Sequence, residues 1–98
     1  ELFTRRQFDS SRRGLGWDKP TPSDWNGPTT LLASNQTFGH TGFTGTCIWV
    51  DPQFDLVYVF LSNRVHPNMN NNKLLTGNIR PRIQEVIYKA IFNYCQYR

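Results

Sequence analysis

Apolar positions crowd into two runs, Cys47-Ile48-Trp49-Val50 and Leu56-Val57-Tyr58-Val59-Phe60-Leu61, joined by Asp51-Pro52-Gln53-Phe54-Asp55. Branched and aromatic side chains pack well on a pleated surface, and an Asp/Pro/Asp connection is a turn signal, so the pattern predicts an antiparallel hairpin. Strand parity sends Ile48 and Val50 to one face and Cys47 and Trp49 to the other; Tyr58 and Phe60 likewise oppose Val57, Val59 and Leu61. Neither face is polar. A sheet that is apolar on both sides needs cover on both sides, which places the hairpin centrally rather than at an edge.

Helical periodicity dominates the C-terminal part. Ile79, Ile83, Val86, Ile87, Ala90, Ile91 and Tyr94 fall on one apolar stripe, with Arg80, Arg82, Gln84, Glu85, Lys89 and Asn93 mostly opposite. Asn78 reads as the N-cap, and Pro81 is tolerated in the first turn. This helix is expected to pack on one sheet face. Nothing in the 98 residues covers the other; its cover must come from chain outside them or from a partner, failing which the face would self-associate.

The remaining segments are poorer in apolar periodicity. Glu1–Gln7 resembles the end of a helix whose start is missing, Asp9–Arg13 a polar loop, and Gly14–Asp18 a short strand. Lys19–Gln36 carries Pro20, Pro22, Asn26-Gly27-Pro28 and Ser34-Asn35, the composition of a long loop. Trp25 within it is either an anchor packing the loop down or part of a ligand rim. Asn68-Met69-Asn70-Asn71-Asn72 is too polar for a core, and His66 beside Pro67 reads as structural, turning the chain out of the sheet.

Ninety-eight residues allow one modest domain, and 14% aromatic content argues against disorder. The net charge of +4 owes much to Arg5, Arg6, Arg12 and Arg13, a solvated basic segment unaccompanied by any nucleic-acid-binding motif, so nucleic acid is not an expected partner. No apolar run approaches the roughly 20 residues of a membrane span. Cys47, in a presumed buried strand, and Cys95 permit a disulfide without requiring one. No clustered ligands suggest a metal, and no cofactor is expected.

The informative chemistry precedes the hairpin, in His40-Thr41-Gly42-Phe43-Thr44-Gly45. Small residues and hydroxyls at the start of a strand suit either a bend or the close approach of a ligand. Together with Gly14-Leu15-Gly16-Trp17, the Asp-Pro hairpin, Val59–Asn68 and the terminal helix, this order of elements resembles the C-terminal portion of a serine β-lactamase-like hydrolase. That group spans class C β-lactamases, penicillin-binding proteins, D-aminopeptidases and related esterases.

The resemblance implies an α+β fold: an antiparallel sheet with a central hairpin and a C-terminal amphipathic helix, the C-terminal part of a β-lactamase/transpeptidase-like domain. The rest of the cover would come from N- and C-terminal helices and an inserted helical region. It implies an extracytoplasmic setting. Of the family's three motifs, S-x-x-K, Tyr/Ser-x-Asn and K-T-G, only the third is matched, as His40-Thr41-Gly42. No serine here has Lys three residues on, and no Tyr or Ser has Asn two residues on.

By this resemblance Gly42 lets a substrate lie along the strand edge, the Phe43 N–H is one of two oxyanion-hole donors, and Thr41 offers its hydroxyl to a substrate carboxylate or amide. Thr44 and Asn68 are candidate substrate contacts, although Asn68 reads rather as a solvated turn residue. His40 replaces the motif's lysine: an imidazole is a hydrogen-bond partner rather than a permanent cation, which moves the expected substrate away from β-lactams.

Two functions are therefore expected to compete. In the first, the segment supplies one wall of an acyl-enzyme site acting on an ester, D-amino-acid peptide or amide; its partner is then the rest of its own parent chain, and alone it is inert. In the second, it is a non-catalytic carbohydrate- or peptide-binding module appended to another hydrolase, using Trp17, Trp25, Trp49 and Phe43 as an aromatic platform.

Overall fold

A computed structural model describes residues 2–8, 13–20 and 28–96, without the side chains of residues 95 and 96. Expectations for Glu1, for residues 9–12, for Trp25 and its neighbours in 21–27, and for the Cys95 side chain fall outside it. The ordered elements are β1 (Phe38–Thr41), β2 (Cys47–Asp51), a 3-10 turn (Pro52–Phe54), β3 (Leu56–Phe60), α1 (Lys73–Thr76) and α2 (Ile79–Gln96). The strands form one antiparallel sheet in the order β1-β2-β3. With its C-terminal helix this is the expected α+β architecture.

The connection between β2 and β3 folds for local reasons. Asp51 caps the 3-10 turn by accepting the Gln53 N–H, Pro52 supplies a fixed φ at its start, and Asp55 closes it in the left-handed region at φ 51°. The resulting register pairs Trp49 with Tyr58 and Cys47 with Phe60 on one face, and Ile48 with Val59 and Val50 with Val57 on the other. The predicted parity therefore holds. Only β2 is central, however; β3 is an edge of the described sheet.

The first of these faces is the core: Cys47, Trp49 and Tyr58 are buried, with Phe60 and Ile87 packed against them. The second is bare. Val57, Val59 and Leu61 are 59%, 51% and 78% exposed, so the face that nothing here was expected to cover is open to solvent.

The helix docks differently from its expected stripe. Its buried residues are Gln84 and Tyr88, with Ile87 half-buried, whereas Ile83, Val86 and Tyr94 are exposed. Polar groups at four-residue spacing make the contact. Arg80 Nη1 donates to the Thr46 carbonyl (3.1 Å), the Tyr58 hydroxyl donates to the Arg80 carbonyl (3.0 Å), Gln84 Oε1 accepts the Thr30 N–H (2.9 Å), and the Tyr88 hydroxyl donates to Asp51 (2.5 Å). Helix α2 thus has apolar residues on two sides, and hydrogen bonding selects which side faces the sheet. Asn78 precedes it in the left-handed region, its carbonyl accepting the Arg82 N–H.

Two local expectations change. Residues 2–5 form turns rather than a helix end. The Gly14–Asp18 stretch is a tight turn, with the Gly14 N–H on the Trp17 carbonyl at 2.8 Å, and contributes single-residue bridges instead of a strand. The short helix α1 follows the Asn run directly, its Asn72 carbonyl accepting the Thr76 N–H.

Candidate functional site

The His-Thr-Gly strand lies at the sheet's other edge. Asp18 exchanges two backbone hydrogen bonds with Gly39, 2.8 and 3.1 Å, which fixes the outward direction of the Gly39 N–H and C=O. Antiparallel ladders alternate, so the Thr41 backbone groups turn outward as well. Asp18 pairs at Gly39 alone, and beyond it no described backbone group pairs with the outer edge of β1, where the Thr41 carbonyl meets the His40 side chain.

The strand then reverses in a tight hairpin. Gly42 donates to the Thr46 carbonyl (2.8 Å), and Gly45 donates back to the Gly42 carbonyl (3.1 Å), closing a β-turn with Phe43 and Thr44 at its tip. Gly45 needs to be glycine because φ is +95° and a Cβ would overlap Ser62 Oγ and Leu74. At Gly42 a Cβ would meet the Thr46 hydroxyl, so the turn's own closure accounts for that glycine.

Phe43 occupies the second position of this turn, where the amide has no acceptor within the turn. Among the described residues none accepts it. The residue is 69% exposed, with the Arg64 guanidinium carbon 4.8 Å from the ring centroid.

The other sequence-selected residues divide by face. His40 pairs with Ile48 and so belongs to the bare face; Thr41 pairs with Cys47 and belongs to the helix face. His40 Nδ1 lies 2.6 Å from the Thr41 carbonyl oxygen. A ligand lying along the strand edge would be within reach of both faces, and a ligand on either face alone would meet only one residue. The Thr44 carbonyl is occupied, accepting from the Arg64 N–H (2.9 Å) and Ser62 Oγ (3.1 Å). Asn68 is exposed in the following loop, its Oδ1 accepting the Asn70 N–H.

The proposed aromatic platform does not assemble. Trp49 is 1% exposed inside the core, while Trp17 packs edge-on against Phe38 with centroids 5.3 Å apart, away from Phe43 at the hairpin tip. Register decides this: Trp49 shares the buried face with Tyr58.

Two features escaped the sequence. The first is a buried polar cluster on Asp51. Burial raises its carboxyl, but hydrogen bonds from Ser34 Oγ, Tyr88 and the backbone of Ser34 and Gln53 outweigh that and hold it below the usual range. The second is a groove of about 900 Å³ at the Phe38 end of β1, lined by Arg5, Arg6, Lys19, Thr30 and Gln36 among others. None of His40, Thr41, Gly42, Phe43 or Thr44 lines it, so this groove and the candidate chemistry lie apart. Burial and the nearby Arg6 lower the Lys19 ammonium, against the pull of Asp51.

The sequence profile of the beta-lactamase family matches residues 2–78, a span containing all of β1, its turn and Asn68. The chain belongs to the beta-lactamase family. Relatives within this family of serine hydrolases include a Salmonella gallinarum protein named "Putative D-alanyl-D-alanine carboxypeptidase", 40% identical over 80 residues. Proteins of the same name from Salmonella paratyphi B and Salmonella newport are 39% identical over 80 residues. Each alignment covers 76% of this chain and 18% of the relative, so the chain spans under a fifth of the curated relatives it matches. No solved structure matches it. Among the described residues no helix is long and apolar enough to cross a membrane.

Proposed function

We propose that this chain is the C-terminal segment of a beta-lactamase-like domain and forms one wall of its acyl-transfer site, with the attacking serine and its lysine on preceding polypeptide. The observation carrying this reading is the Phe43 amide: it lies in the exposed turn that follows the open edge of β1, with no acceptor among the described residues. A preorganised donor of that kind stabilises the oxyanion that develops when a serine attacks a carbonyl.

His40, Thr41 and Gly42 line the same edge, and substrate backbone would pair with the outward groups of Thr41. The names of the Salmonella relatives favour a peptide ending in D-alanyl-D-alanine, and His40 in the lysine position favours such a peptide over a β-lactam as the turned-over substrate. Thr44 and Asn68 would be substrate contacts. The bare sheet face and the exposed Ile83, Val86 and Tyr94 of α2 would be covered by the rest of the domain. An extracytoplasmic location goes with this substrate.

The test is release of D-alanine from an N-acylated D-alanyl-D-alanine peptide by the full-length protein. Turnover through an acyl-serine supports the reading. Binding of peptide or sugar without turnover or acylation would favour the module instead.

A further inference from the structure

We propose that Arg64 is a positioning residue for the Phe43 amide, acting through the Phe43 ring; this rests on the role given to Phe43 above. The hairpin tip is tied to the segment after β3 by more than its own turn. The Thr44 carbonyl accepts from the Arg64 N–H at 2.9 Å and from Ser62 Oγ at 3.1 Å, and the space beside Gly45 is filled by Ser62 and Leu74. Those contacts hold residues 44 and 45.

They leave Phe43 itself, which is 69% exposed. The guanidinium of Arg64 supplies the missing restraint, 4.8 Å from the ring centroid. Arginine suits this because a planar cation stacks on an aromatic face while its edge still donates hydrogen bonds. That edge is used: Nη1 lies 3.3 Å from the Met69 carbonyl and 3.3 Å from the Asn71 carbonyl. The guanidinium is therefore a plate fixed by the Asn68–Asn71 loop on one side and pressed on Phe43 on the other. It ties the turn carrying the oxyanion donor to the loop carrying Asn68.

An interaction that only aligns a transition-state donor changes the chemical step and leaves ground-state binding alone. In the full-length protein, Arg64→Met should lower the maximal rate of acylation by a fluorescent penicillin by about 10- to 100-fold, the scale of a misplaced reacting group. The half-saturating concentration and the melting temperature should stay near wild type. Arg64→Lys, which keeps the charge over the ring but not the planar fork, should fall between. Phe43→Leu should lose a similar factor, and the double variant should be no slower than either single one.

A wild-type rate in Arg64→Met, additive losses in the double variant, or a slower rate in Arg64→Lys than in Arg64→Met would each overturn the proposal while leaving the acyl-transfer reading intact. If Arg64→Met does not fold, Arg64→Lys against Phe43→Leu carries the same comparison: a wild-type rate in either overturns it. Absence of any acylation in the folded wild-type protein would overturn both.

Discussion

Tyr88 of α2 donates its hydroxyl hydrogen to Asp51 at the end of β2 across 2.5 Å, and both side chains are almost fully buried. Ser34 completes the arrangement by donating its hydroxyl (2.5 Å) and its backbone N–H (3.1 Å) to the same carboxylate. One anion thus joins the hairpin, the preceding loop and the helix. Removing a donor from a buried charged acceptor costs about 1–3 kcal/mol. Tyr88→Phe in the full-length protein should lose that amount in denaturant unfolding; a loss below about 0.5 kcal/mol would contradict the assignment.

The same cluster sets a pH dependence. Because Asp51 is held below its ordinary range in the folded state, the stability it contributes is complete above the unfolded value near pH 4 and is lost as acid protonates the folded carboxyl. The gap in melting temperature between wild type and Asp51→Asn should therefore be full at pH 7 and shrink below about pH 4. A gap unchanged from pH 7 to pH 3 would refute the account.

How far the sequence was legible follows from these residues. The hairpin and its parity were readable because Asp51, Pro52 and Asp55 punctuate two β-rich runs, and the extent of α2 because its periodicity is sustained. The facing of α2 was not: with apolar residues on two sides, hydropathy cannot see that Gln84 and Tyr88 make the buried hydrogen bonds. The His-Thr-Gly edge was found by its motif. The partners of Phe43 and Thr44 come from Arg64 and Ser62, about 20 residues on, which no local pattern reveals.

The bare face gives substitutions of opposite sign in two contexts. Val59 is 51% exposed here and would be covered in the complete domain. In the full-length protein Val59→Lys should destabilise by at least about 1.5 kcal/mol, the scale of one buried aliphatic side chain. In the isolated 98-residue chain the same change should reduce self-association in sedimentation. Equal stability of both full-length proteins would mean that this face is never covered.

Cys47 is buried on the core face, and burial raises its thiol. Thiolate is the reactive form, so alkylation of the folded protein should be slow at pH 8 and become fast on unfolding. Rapid modification under native conditions would place Cys47 outside the core.

The acylation assay bears most directly on the wall formed by β1 and its turn. Full-length protein is treated with a fluorescent penicillin, the adduct is mapped by mass spectrometry, and the rate is compared with that of Phe43→Pro. Proline suits the second position of a β-turn and deletes the N–H together with the aromatic ring, so Phe43→Leu, which loses the ring and keeps the N–H, is measured beside it to give the ring's share. The account predicts an adduct on a serine preceding Glu1 and a rate about 10²- to 10³-fold lower in the variant, the loss expected for one oxyanion donor. An adduct on a serine within these 98 residues, or an undiminished rate in a folded Phe43→Pro protein, would contradict it.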